Sequence, residues 1–73
     1  MSIYVDTRTF ARINGRQPSG HRIWAFDIRA TQNHPAEAER FEFCGPYHKA
    51  SAAAQWHAFS VMRLTAAVCK VLG

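Results

Sequence analysis

Seventy-three residues make one domain, 1–73, with no room for a second core. A chain this size buries only about 60% of its unfolded surface, so stability is marginal and assembly with a partner is one option for adding to it. An apolar content of 48% against 19% charged residues excludes a disordered chain. The net charge of +4, with seven arginines among nine basic residues, suits phosphate or carboxylate partners, which the planar guanidinium grips bidentately; the plainer alternative is that it keeps the chain soluble.

Residues 2–13, SIYVDTRTFARI, alternate loosely. Ile3, Val5, Ala11 and Ile13 share one parity while Tyr4 and Phe10 face the other way, which predicts a strand. Asn14-Gly15 signals a turn, and the basic stretch NGRQPSG continues as a loop through Pro18 and Gly20. HRIWAFDIRA, residues 21–30, predicts the clearest strand, with Trp24, Phe26 and Ile28 on one side and Ile23, Ala25, Asp27 and Arg29 on the other. TQNHPAEA, residues 31–38, is a polar connection broken by Pro35. ERFEFC, residues 39–44, alternates again, with Phe41 and Phe43 inward and Arg40, Glu42 and Cys44 outward, so that two strands and their loop read as an antiparallel hairpin.

Residues 46–72 run without an internal glycine or proline and predict one long helix. Gly45 is an acceptable N-cap, Pro46 is pre-organised for the first helical position, and Gly73 is the stop. The expected fold class is therefore α+β: a three-stranded antiparallel sheet packed on one long C-terminal helix, in the order β-β-β-α. Such a helix is about 40 Å long, whereas the strands reach about 20–33 Å, so either the sheet is wide and oblique or the C-terminal turns overhang.

At about 100° per residue, Ala50, Ala53, Ala54, Ala58, Val61, Leu64, Val68, Val71 and Leu72 form a broad core arc, whose small alanines allow close approach to Trp24, Phe26, Phe41 and Phe43. The opposite side is expected to be polar, yet Lys49, Ala52, Trp56, Phe59, Arg63, Ala66 and Lys70 line it at spacings of three and four. No acidic residue follows Glu42. An outward Trp and Phe among positive charges is the composition of a binding hot spot, and Lys49, Trp56, Phe59, Arg63 and Lys70 are the candidate partner-binding residues. Two other readings stay open: a self-association seam, or cover by the N-terminal strand or its loop.

Four histidines and two cysteines raise a zinc site at Cys44, His48, His57 and Cys69, but on one helix His48 and His57 lie about 180° apart and Cys69 lies about 30 Å from His48, leaving half a site. No metal and no cofactor are expected. Ser51 and Ser60 lack a glycine elbow, no base is paired with an orienting carboxylate, and no glycine-rich phosphate loop is present, so catalytic residues are none and an enzyme is not expected. His57, inside the apolar arc, is expected to be a core histidine bonded to a neighbouring carbonyl. The N-terminus MSIYVD has no basic or apolar leader pattern, and residues 58–72 contain Arg63 and Lys70 and are too short to span a bilayer. A cytoplasmic, reducing setting with free thiols and no membrane contact is the expectation.

Nucleic acid is the remaining chemical option, through Arg8, Arg12, Arg16, Arg22, Arg29 and Arg40, all in the strand region, where an arginine-studded sheet enters a groove and grips phosphates. Cross-strand ion pairing on a solvated face is the competing reading. The pattern RIWAFDIRA, a loop, then RFEFCGPYHKASAAAQW, resembles the β-β-β-α DNA-binding domains at the front of phage-type tyrosine integrases, the arm-type domains. Phe43, Ala50 and Trp56 stand in the roles of the aromatic strand end, the helix alanine and the following tryptophan, with Gly45-Pro46 where that family has a Ser/Thr cap. The resemblance covers residues 22–58 and implies that fold, with DNA binding by analogy. A free-standing basic domain of this kind is also similar in style to small phage proteins that bind host transcription or defence machinery. The leading expectation is thus a non-enzymatic, phage- or mobile-element-encoded regulator, in the inhibitory sense, that docks on a protein component of nucleic-acid-handling machinery. Direct DNA or RNA binding by the sheet arginines and a structural homodimer are the alternatives.

Overall fold

The computed structural model describes residues 2–31 and 38–73. The connection expected around Pro35, at 32–37, lies outside them. The described chain runs β1 (Ser2–Asp6), α1 (Arg8–Asn14), β2 (His21–Ala30), β3 (Ala38–Pro46), α2 (Tyr47–Trp56), a π-helical turn (His57–Val61) and β4 (Ala66–Val71). The four strands form one mixed sheet in the order β1-β4-β2-β3, with β1 parallel to β4 and both β3 and β4 antiparallel to β2. The α+β class stands, but the three-stranded antiparallel sheet with one long C-terminal helix does not.

The largest departure is at the C-terminus. Helical winding spans only the fifteen residues from Tyr47 to Val61, and Ala66–Val71 is an inner strand inserted between β1 and β2. Arg63 makes the break: it takes the left-handed conformation at φ 58, a position usually given to glycine, while the Leu64 N–H donates back to the Ala58 carbonyl. Beyond it the chain alternates. Ala67, Cys69 and Val71 are buried on the helix side, and Val68 and Lys70 turn to the other side. Val68, Val71 and Leu72 fit a helical spacing as well as they fit a strand, and an apolar run this short does not separate the two periods. The protein's longest dimension is 33 Å, less than the helix of about 40 Å would need.

The N-terminal expectation also divides. Ile3 and Val5 do face inward from a strand, but that strand stops at Asp6 and a two-turn helix follows. The Asp6 carboxylate accepts the Arg8 backbone N–H (3.0 Å) at the helix start, and Gly15, at φ 69, donates its N–H to Ala11 at the end. Asn14-Gly15 turns the chain as the C-cap of this helix, and the expected loop follows to Gly20. Phe10 points down from this helix into the core against Trp24, with ring centroids 5.6 Å apart.

The β2–β3 hairpin is as expected. Trp24, Phe26 and Ile28 are fully buried on the helix side, and Phe41 and Phe43 pack beside them. Trp24 is tied in twice: its indole N–H donates to the Gly20 carbonyl (3.1 Å), and its ring meets Tyr47 edge-on at 5.0 Å. The same Gly20 carbonyl accepts the Tyr47 N–H, which joins the start of β2 to the start of α2. Gly45 is required in β3 because a Cβ there would lie 2.8 Å from the Phe43 ring. Pro46 then serves as an extended N-cap (φ −68, ψ 148), so helix α2 opens one residue later than its sequence suggests.

Helix α2 and the π-helical turn lie over the sheet on Ala50, Ala54 and Ala58, all fully buried, because side chains without a γ-carbon let the backbones approach. Of the expected core arc, Leu64 and Val71 are buried as well, but Val61 and Leu72 are exposed. Both helices cover the same face, which leaves a two-layer fold whose other sheet face is open.

Candidate functional site

Four of the five residues expected to bind a partner are exposed along one stretch of the helical layer. Lys49 is in the first turn of α2, Trp56 ends it at 64% exposure, Phe59 follows in the π-helical turn at 44%, and Arg63 is exposed just beyond. The Trp56 and Phe59 rings are neighbours, with centroids 5.9 Å apart. Lys70 is not among them. As part of β4 it projects from the open sheet face, half-buried, on the far side of the molecule, and Ala66 is likewise a buried strand residue. Both were placed on the stripe by assuming a helix that ends before reaching them.

Trp56 and Phe59 form one wall of an open groove of about 490 Å³, completed by Ile3, Ala52 and Gln55. The floor on the Ile3 side is the edge strand of the sheet, and Gln55 ties the helix to it by donating from Nε2 to the Ile3 carbonyl at 3.2 Å. Ile3 and Gln55 had no signal as site residues, since only the strand order brings β1 beneath α2. The N-terminal strand borders Trp56 without covering it.

His57 sits beneath this surface. Its Nε2 is hydrogen-bonded to the Glu39 carboxylate of β3, and its ring stacks near Phe41 at 4.7 Å. The expected carbonyl partner is thus a carboxylate instead. Both groups are built into the helix–sheet contact, which accounts for a polar ring within an apolar arc.

The sheet arginines occupy several elements. Arg8 and Arg12 belong to α1, Arg16 to the loop, Arg22 and Arg29 to β2, and Arg40 to β3. Arg8 pairs with Asp6 (3.0 Å), Arg29 with Asp27 (3.1 Å) and Arg40 with Glu42 (3.1 Å). Hydrogen bonds from Arg8 hold the Asp6 carboxyl down at about 2. Arg22 covers the Trp24 ring at 4.9 Å, and Arg16 reaches Ser19. Across the open face the strand register aligns Asp6, Lys70, Asp27 and Arg40, four charges of alternating sign in one row. Such a row attracts across strands and presents little net field to a phosphate backbone.

The expected half-site at Cys44 and His48 is divided by the sheet: strand alternation puts Cys44 on the open face with Ile23, while His48 belongs to α2. Cys69 is buried, and burial pushes its thiol up to about 11. Iodoacetamide is expected to alkylate Cys44 alone in the native protein and both thiols in denaturant, read by intact mass. The folded state keeps the Cys69 proton to about 11 while the unfolded chain releases it near 9.0, so stability is expected to fall as pH rises through that window.

Among the described residues no group of three His, Cys, Asp or Glu side chains is placed to hold a metal, and no helix is long and apolar enough to cross a membrane. No protein-family model, curated protein or solved structure matches this chain.

Proposed function

We propose that the chain is a non-enzymatic protein-binding domain that docks through Trp56, Phe59, Lys49 and Arg63 on a partner with an acidic surface. The observation that carries this reading is the Trp56–Phe59 pair, exposed at 64% and 44% beside an apolar groove and at the end of a helix with no acidic residue. Exposing two adjacent aromatic rings opposes solubility and gains nothing in folding, whereas aromatic anchors ringed by cations are what protein interfaces use. Arg63 adds support. A left-handed arginine is strained by about 1–2 kcal/mol relative to glycine, and strain of this kind concentrates at sites of function. The net charge of +4 favours a partner within nucleic-acid-handling machinery, whose activity docking would inhibit.

The test is partner capture by the wild-type protein and by a Trp56→Ala/Arg63→Gly double variant, with and without nuclease. Glycine at 63 removes the guanidinium and relieves the backbone, so the fold is retained. Loss of capture with a melting temperature no lower than that of the wild type is the expected result, and undiminished capture by the double variant sinks the reading. Capture that depends on nucleic acid and weakens steeply with salt would instead favour the sheet arginines, because counterion release makes phosphate binding salt-sensitive. Twice the monomer mass in light scattering would favour a homodimer.

A further inference from the structure

We infer that the groove beside Trp56 receives an extended, acid-flanked peptide segment of the partner, which adds as a fifth strand to the free edge of β1. This rests on the docking reading above and supplies its mode. Among the described residues β1 pairs with β4 along one side only. The Ser2 N–H donates to the Thr65 carbonyl on that side at 2.8 Å, so the alternation of a parallel ladder turns the N–H and C=O groups of Ile3 and Val5 outward. The Ile3 carbonyl on this edge accepts the Gln55 side-chain amide at 3.2 Å, and an added strand takes over that acceptor with its own backbone N–H, displacing Gln55. Directly above, Ala52, Trp56 and Phe59 wall an open apolar groove of about 490 Å³, within the range of ligand clefts, into which every second side chain of an added strand would project.

Backbone pairing at an edge combined with an apolar pocket for alternate side chains is the general recipe of strand addition. The charge selects the occupant. Lys49 and Arg63 are exposed at the two ends of the aromatic stretch, and no acidic residue occurs after Glu42. A second copy paired through β1 would bring these like charges together, whereas a segment with a large apolar residue between carboxylates complements them. The opposite edge of the sheet, β3, carries the paired Arg40 and Glu42 and lacks such a groove among the described residues, so β1 is the edge open to addition.

The experiment is selection of a display library of short random peptides on the wild-type protein, followed by amide exchange of labelled protein with the enriched peptide. Enrichment of peptides alternating apolar and acidic residues, lost with Trp56→Ala, together with exchange at Ile3 and Val5 slowed about tenfold or more at saturation, is the expected result. Binding that needs Trp56 but leaves Ile3 and Val5 exchanging as before overturns strand addition while the docking reading stands. Binding indifferent to Trp56→Ala overturns both. No enriched peptide, or protection of the same amides in the protein alone as its concentration rises, overturns the acidic segment as the occupant, the latter in favour of a second copy.

Discussion

Ending the chain at Leu64 is expected to leave it unfolded, with neither near-UV circular dichroism nor a cooperative melt. Were residues 46–72 one overhanging helix, the same truncation would remove exposed turns and spare the core. In the folded protein β4 is an inner strand: it pairs with β1 on one side and β2 on the other, and it buries Ala67, Cys69 and Val71. Without it, β1 has no partner and the ladder from Phe26 to Ala30 is open. Point substitutions carry the same argument at finer grain. Val71→Lys places an unpaired charge where 1% of the residue is exposed, at a cost of about 3–5 kcal/mol. A domain of this length has about 4–11 kcal/mol in total, at about 0.05–0.15 kcal/mol per residue. Val68→Lys, one register position from Cys69 and on the open face opposite Arg29, is expected to cost less than about 1 kcal/mol. Equal effects at 68 and 71 in denaturant titrations would refute the strand.

The two tryptophans are expected to behave as opposites. Trp24→Ala removes a fully buried ring that contacts Phe10 and Tyr47 and leaves the Gly20 carbonyl without its indole donor. Loss of about 3–5 kcal/mol is expected, enough to unfold much of the population at room temperature. Trp56→Ala should change stability by no more than about 0.5 kcal/mol, since its ring is mostly in water. Acrylamide quenching of the wild type and of the Trp56→Phe variant reads the difference directly. The variant, which keeps only Trp24, should be protected, and the wild type should show an additional accessible component that belongs to Trp56. Strong protection of Trp56 in the monomer would remove the foundation of the proposed interface.

Where local pattern was sufficient, the sequence was a reliable guide. The period-2 run from His21 to Ala30, the return of alternation at Phe41 and Phe43, and the Gly-Pro pair before an alanine-rich helix are all local signals. They placed Trp24, Phe26 and Ile28 in the core and Trp56 and Phe59 outside it. Asn14-Gly15 signalled a turn without saying what preceded it, because glycine in a left-handed conformation closes a helix as readily as a strand. Gln55 and Ile3, fifty-two residues apart, meet only because β4 draws β1 into the sheet.

Local pattern was enough for the α+β class, the central hairpin, the alanine face of α2 and the exposed aromatic pair. Those rest on periods of two and 3.6 residues, which the chain carries within a few residues of each position. Long-range pairing is what ends helical winding at Val61, joins Ala66–Val71 to two strands distant in sequence, and moves Lys70 from the expected binding stripe to the open sheet face. A short apolar run satisfies either period, and what selects between them is which distant backbone is available to take its hydrogen bonds.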